Sequence, residues 1–345
     1  MSQENSKFMR VLRGEPLSIP PIWFMRQAGR YLPEYRAVRE EAGGFLDLCY
    51  NPDKATRVTL QPIERFDLDA AILFADILLI PQALGMKLWF EQGEGPRLEP
   101  VLKDDMSAAG KLSGDDIHKT LSPVYETVSQ VRAALPPEKA LIGFAGAPWT
   151  VATYMLAGQG VKDPSALRMT AYQSPDKMAA LIDLIASATA EYLIRQAQAG
   201  ANAVMLFDSW AAGLPSALFH DLCVDPVRRI AAEVKAKTGI PVIGFPRGSG
   251  PAYSEVAKLK EIDAVSIDTG LPWDWAAENL SPHGAVQGGL DQLLLLEGGD
   301  ALFSSADRLI DSFAGKPFIF NVGHGLIPQT PPEHVAALVK HIRER

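Results

Sequence analysis

The chain of 345 residues is short of several things at once, and each shortage removes a class of function. It has two cysteines, Cys49 and Cys223, far apart and in no redox or metal spacing. A disulfide framework and a cysteine-based metal site are therefore excluded, and both thiols read as small buried apolar groups. No apolar run approaches the length of a membrane span, so membrane insertion is not expected. The stretch Met1–Arg10 lacks the basic-then-apolar pattern of a signal peptide, which sets the expectation of a cytoplasmic location. Positive charge is in deficit: the formal net charge is −8, which argues against nucleic acid as a partner. There is no phosphate-binding P-loop, no dinucleotide glycine fingerprint and no Gly-x-Ser-x-Gly elbow. Linkers, low-complexity tracts and internal repeats are missing as well, so the chain reads as one domain over 1–345, with 1–10 as a flexible tail.

What is present begins at Pro21-Ile22-Trp23-Phe24-Met25, a β-compatible run that ends at Arg26. Arg30, Arg36 and Arg39 follow, against a single acid, Glu34, before Glu40. In an acidic chain such a cationic segment needs a reason. Guanidinium groups carry fixed charge and a planar donor fork that suits carboxylates and phosphates. An anion site at the end of a strand is one reading. An ion-pair network with Glu34, Glu40 and Glu41 is the other, with Arg36 its best candidate.

Further short apolar runs lie at Asp69–Phe74, Leu141–Ala145, Ala203–Phe207, Pro241–Phe245, Ala264–Ile267, Ala285–Gln287 and Phe318–Asn321. Most are continuous rather than alternating, as in parallel strands buried on both faces. Between them lie helix starts at Asn51-Pro52, at Ser174-Pro175 and, with a possible capping box, at Thr330-Pro331-Pro332-Glu333. Lys177 to Ala199 carries Met178, Leu181, Ile182, Ile185, Tyr192 and Leu193 at helical spacing, which is core packing. Eight strand–helix repeats predict an α/β fold, a single (β/α)8 TIM barrel with long insertions after the first two strands. One insertion, Gly85 to Leu102, reads as a hairpin with Gly93 and Gly95 at its turn. A doubly wound sheet is the alternative.

A barrel collects its chemistry in the loops after the strand ends. Those positions hold Arg26 and Arg30, then Asp76, then Gly146 to Thr150 with Tyr154. Asp208-Ser209, Arg247-Gly248-Ser249-Gly250 and Gly323-His324-Gly325 complete the set. Asp76, between Phe74 and Ile77-Leu78-Leu79-Ile80, is either a helix cap or a carboxylate held in a low-dielectric pocket. The glycines beside His324 suggest backbone space for a ligand. No second ligand stands at metal spacing from that histidine, and Asp208-Ser209 has no partner histidine for a hydrolase triad. His118, His220, His283, His334 and His341 read as surface residues.

Pro21 to Arg30 resembles the N-terminal signature of the uroporphyrinogen decarboxylase family, and Gly143-Phe144-Ala145-Gly146-Ala147-Pro148-Trp149-Thr150-Val151-Ala152-Thr153-Tyr154 resembles its second signature. Phe74 to Ile77, Phe207 to Trp210 and Asn321 to Gly325 match further blocks in the family order. One loop departs: in Gln287-Gly288-Gly289-Leu290-Asp291-Gln292 the family has asparagine in place of Gly289 and proline in place of Gln292.

The resemblance implies a carboxy-lyase that works without a cofactor or metal, usually a cytoplasmic homodimer of the haem pathway. The implied substrate is uroporphyrinogen, a tetrapyrrole with four acetate and four propionate side chains, and each acetate becomes a methyl in coproporphyrinogen. It implies substrate contacts at Arg26, Gln27, Ala28, Gly29, Arg30, Arg39, Asp76, Tyr154, Ser209 and His324, with Asp76 and Arg26 catalytic. Two alternatives are a zinc-dependent corrinoid methyltransferase of the same superfamily and a tetrapyrrole carrier.

Overall fold

The computed structural model describes residues 6–91 and 94–345. Its centre is a parallel sheet of seven strands: β1 (Ala70–Ile72), β4 (Ala140–Gly146), β5 (Ala203–Asp208), β6 (Val242–Pro246), β7 (Ala264–Ile267), β8 (Ala285–Gly288) and β9 (Phe318–Ile319), paired in that order. The remaining two strands, β2 (Lys87–Glu91) and β3 (Gly95–Glu99), form a separate antiparallel hairpin. The doubly wound alternative requires the strand order to reverse, and here each strand pairs with the next in the central sheet. The strands are nearly all buried, which explains their continuous apolar runs.

The expected first strand, Pro21–Met25, forms no strand ladder. It makes one parallel bridge, Ile22 to Phe320. Its sparse bonding has a chemical cause, because Pro20 and Pro21 have no N–H to offer. Yet the segment is tied on both sides. Phe320 N–H donates to Pro21 O at 2.9 Å and Trp23 N–H to Phe320 O at 3.3 Å. On the β1 side Asp69 N–H donates to Ile22 O at 2.9 Å, and Ile22 N–H donates to the Asp69 carboxylate at 2.7 Å. Arg343, from the C-terminal helix, holds that same carboxylate at 2.6 Å.

The helix starts are met unevenly. Asn51 caps Pro52–Phe66 by accepting from Lys54 N–H. Ser174 precedes Pro175–Gln198 but makes no capping bond. The expected capping box at Thr330 does not form, since Pro331 itself takes the cap position ahead of Pro332. In Pro175–Gln198 the six apolar residues named above are all buried. The tail expected over 1–10 is corrected from Ser6 onward. Ser6 caps a helix, Lys7–Leu12, whose Phe8, Met9, Val11 and Leu12 join the core. Residues 1–5 lie outside the described ones, as does Gly93 of the expected hairpin turn. Gly95, at φ +90°, opens β3.

In the divergent loop Gly289 sits at φ +95°, a conformation that asparagine tolerates better than other side chains do, and Trp273 Nε1–H donates to its carbonyl at 3.1 Å. Gln292 is the first residue of a short helix capped by Asp291, where proline would also fit. The departures thus preserve the backbone's requirements.

Candidate active site

Because the central strands are parallel, their C-terminal ends share one face. Arg26 follows the Pro21–Met25 segment, Asp76 follows β1, Tyr154 lies on the helix Pro148–Ala157 after β4, and Ser209 and Arg247 follow β5 and β6 directly. His324 comes after β9. The strands' C-terminal ends thus open into one cleft, in which the charged groups act on one another: Arg26 feels Tyr154, Arg30, Asp76 and Arg247, and His324 feels Arg247 and Arg26.

Arg26 occupies the left-handed region, with φ +61°. That conformation is uncommon for a side chain of this size and must be held in place. Two buried amides hold it. Gln27 accepts from Phe24 N–H at 3.1 Å and donates to Ala70 O at 3.1 Å. Asn321 accepts from Met25 N–H at 3.0 Å and from Val322 N–H at 2.8 Å. The side chain of Gln27, expected at a ligand contact, is thus engaged with the backbone. Its N–H and carbonyl are also bonded, to Phe24 O and from Tyr31 OH, so it positions the arginine loop. Ala28 and Gly29 are half-buried in the same loop.

The glycines beside His324 have a different purpose from the one the sequence suggests. A β-carbon at Gly325 would lie 2.4 Å from Arg26 Cδ, and one at Gly323 would lie 2.5 Å from Thr269 N. Both glycines make room for the protein itself.

The ion-pair reading of the arginines fails for most of them. Glu34 pairs with Arg65 and Glu41 with Arg57. Arg36 bonds the carbonyls of Arg30 and Tyr31. The side chains of Arg26, Arg30 and Arg247 make no hydrogen bond or salt bridge among the described residues. Arg39 lies over the Phe45 ring at 5.5 Å, and its Nη1 is buried without a hydrogen-bond partner.

The cap reading of Asp76 does not hold, since Leu78 takes the N-cap position of the helix Leu79–Ala83 with no side-chain cap bond. Asp76 Oδ1 accepts from Leu78 N–H at 2.8 Å, one residue before that helix, while Oδ2 has no hydrogen bond among the described residues. Withdrawal from water pushes its pKa up to about 6, against the opposing pull of the Leu78 amide and of Arg26. Arg26 is exposed as a residue, yet desolvation by the surrounding protein lowers its pKa, and the neighbouring Arg30 and Arg247 act in the same direction. His324 is pushed down to about 4 by burial and then by Arg247 and Arg26, so its ring is neutral at physiological pH.

Tyr154 packs edge-on at 6.2 Å against Trp210, the chain neighbour of Ser209. Behind them Thr150 Oγ1 donates to the buried Asp208 carboxylate at 2.5 Å and accepts from Trp210 N–H at 3.1 Å. Asp208 is raised to about 6 by burial, against the pull of Thr150 and Cys223. Phe144, Phe207 and Phe245, from β4, β5 and β6, meet edge-on at 5.6 and 6.1 Å and add an apolar surface. Sequence reading missed this trio, because a phenylalanine in a strand carries no sign of which face it lines.

Among the described residues no three histidine, cysteine, aspartate or glutamate side chains converge as metal ligands. Cys49 and Cys223 are both buried and free.

Comparison with known proteins adds the family. A solved methyltransferase from Methanosarcina mazei has the same fold, with a TM-score of 0.79 at 18% identity, covering 100% of this chain and 99% of that one. A uroporphyrinogen decarboxylase of Rhodospirillum rubrum is 50% identical over 99% of this chain and 98% of its own length. One from Paracoccus denitrificans is 54% identical over 97% of this chain and 98% of its own length. The family described as "Uroporphyrinogen decarboxylase (URO-D)" matches residues 3–345, and the chain belongs to it.

Proposed function

We propose that this enzyme removes the acetate carboxyls of uroporphyrinogen one after another, each acetate taking up a proton and releasing carbon dioxide to leave a methyl. The observation that carries this reading is the contrast within the cleft. Among the described residues Arg26, Arg30, Arg39 and Arg247 have no carboxylate partner, and Asp76 supplies the carboxylate whose charge Arg26 feels. A macrocycle with carboxylates on its rim and N–H donors at its centre is complementary to that arrangement.

The chemistry follows from the charges. Breaking the carbon–carboxylate bond leaves an electron pair on the acetate methylene. A pyrrole protonated on a ring carbon accepts that pair, in the role a pyridoxal-type cofactor has elsewhere. The cationic ring then needs a fixed negative neighbour. Ionised Asp76 provides it and accepts from the pyrrole N–H groups, a preorganised interaction worth about 3–4 kcal/mol of barrier. Arg26 and Arg30 bind carboxylates, with Arg26 placed to assist proton delivery. Arg39, Tyr154, Ser209 and His324 orient the rim, and Ala28 and Gly29 let the ligand approach the backbone. A carrier would need the arginines but not a carboxylate at the pyrrole centre.

We further infer one domain over 1–345 in which Pro21–Met25, tied to Phe320 on one side and to Asp69 on the other, completes an eight-stranded (β/α)8 barrel. A homodimer in the cytoplasm belongs to the same reading, and sedimentation at micromolar concentration tests the dimer. No helix among the described residues is long and apolar enough to cross a membrane. Anaerobic incubation with uroporphyrinogen tests the activity: hepta-, hexa-, penta- and tetracarboxylate products should appear in turn. Unchanged octacarboxylate would reject the reading.

A further inference from the structure

β6 is the middle strand of the seven, and so lies farthest around the sheet from the Pro21–Met25 segment, after which Arg26, Arg30 and Arg39 follow. The turn after β6 is held with unusual firmness. Arg247 N–H donates to Asp208 O at 3.1 Å. Gly248, at φ +75°, donates its N–H to Asp268 Oδ2 at 2.7 Å, and a β-carbon there would lie 2.8 Å from Ala212 Cβ. The buried Tyr253 hydroxyl donates to the same Asp268 oxygen at 2.6 Å, and Gly270 N–H occupies the other oxygen at 2.7 Å.

These contacts fix the backbone of Arg247 and leave its side chain free. The nearby anion, Asp268, is already engaged by three donors, and the Arg247 guanidinium has no hydrogen bond or salt bridge among the described residues. Around the cleft, Gly323 packs against Thr269 beside Asp268, and Gly325 against Arg26, which places His324 between Arg26 and the Arg247 turn. An imidazole that burial keeps neutral thus stands between two guanidinium groups, both of which act on it. Cations held close together without counter-charge are unfavourable until an anion joins them.

We propose that Arg247, together with His324, forms a carboxylate subsite that holds a rim carboxylate of the substrate on the wall across from Arg30 and Arg39. The inference rests on the polycarboxylate reading above. With cations on both walls, the macrocycle is gripped at two opposite edges, so each quarter-turn needed for the next acetate must break and remake the Arg247 contact. Loss of that contact should therefore affect substrate affinity and the release of partly decarboxylated intermediates more than the chemical step.

The test compares Arg247→Ala and Arg247→Lys with wild type on uroporphyrinogen, together with Arg57→Ala, which removes an equal charge from an exposed pair with Glu41. Arg247→Ala should raise KM roughly tenfold, as for one lost charge-assisted contact, with kcat within about threefold and more hepta- to pentacarboxylate released. Arg247→Lys should recover most of the affinity, and Arg57→Ala should leave KM unchanged. A KM for Arg247→Ala within twofold of wild type, or an equal rise for Arg57→Ala, overturns the subsite. Inactive wild-type enzyme would instead overturn the decarboxylase reading itself. Should Arg247→Ala not fold, the lysine variant carries the test through its rescue of KM against Arg247→Gln.

Discussion

Arg26 lies across the backbone of Gly325, so closely that a β-carbon on that glycine would stand 2.4 Å from Arg26 Cδ and 2.8 Å from Nε. The relation joins the two ends of the chain's site, since Arg26 belongs to the first predicted strand end and Gly325 to the last.

Gly325→Ala should therefore displace Arg26 without disturbing the core. We expect kcat/KM on uroporphyrinogen to fall at least tenfold, a loss of about 1.4 kcal/mol or more, with an unchanged circular dichroism spectrum. Arg26→Ala should lose activity and also keep its fold, because its side chain makes no hydrogen bond or salt bridge among the described residues. Unfolding of Arg26→Ala would return that arginine to a structural role.

The acid limb of the pH–rate profile should report Asp76. Its carboxyl titrates near pH 6 and is wanted ionised, so kcat/KM should be level above about pH 7 and fall with unit slope below about 6. His324, titrating near 4, should add nothing in that window. A profile flat down to pH 5 would contradict this assignment.

Stability should move in the opposite sense. The native state holds the Asp76 proton more tightly than the unfolded chain does, so ionisation destabilises the fold as pH rises from about 4 to 6. Asp76→Asn keeps an acceptor for Leu78 N–H and removes that cost. Its melting temperature should exceed wild type by roughly 1–3 °C above pH 7, from a gain on the order of 1 kcal/mol in a cleft open to water, and converge with it near pH 4.

Thr150→Val tests the support behind the site. It deprives the buried Asp208 carboxylate of its hydroxyl donor and leaves Trp210 N–H unpaired. Unfolding by denaturant should show a loss of about 2–3 kcal/mol, and activity should drop as Ser209 and Tyr154 lose register. A loss below about 0.5 kcal/mol would show that water takes over the Thr150 bonds.

What the sequence made legible follows from where the signals were local. The strands β4 to β8 were readable because a strand buried on both faces is a continuous apolar run, and the hairpin because its two runs are adjacent. The Pro21–Met25 segment looked like a full strand, but its prolines leave too few donors for a ladder, and its ties to Asp69 and Phe320 span the chain. Gln27 looked like part of a binding motif because it sits between Arg26 and Arg30. Only the fold shows that Ala70 O uses its amide. The glycines beside His324 look like ligand space in sequence, because the groups that fill it, Arg26 at Gly325 and Thr269 at Gly323, are distant along the chain. Arg247 was visible at a strand end, but its lack of a partner is a property of three dimensions.

The central claim is that Asp76 is the electrostatic counterpart of the cation formed during decarboxylation. Single-turnover decarboxylation of uroporphyrinogen by Asp76→Asn, with binding measured separately, tests it most directly. The account predicts a rate lower by about 10²–10³ with the fold retained. A rate within a few-fold of wild type would contradict it.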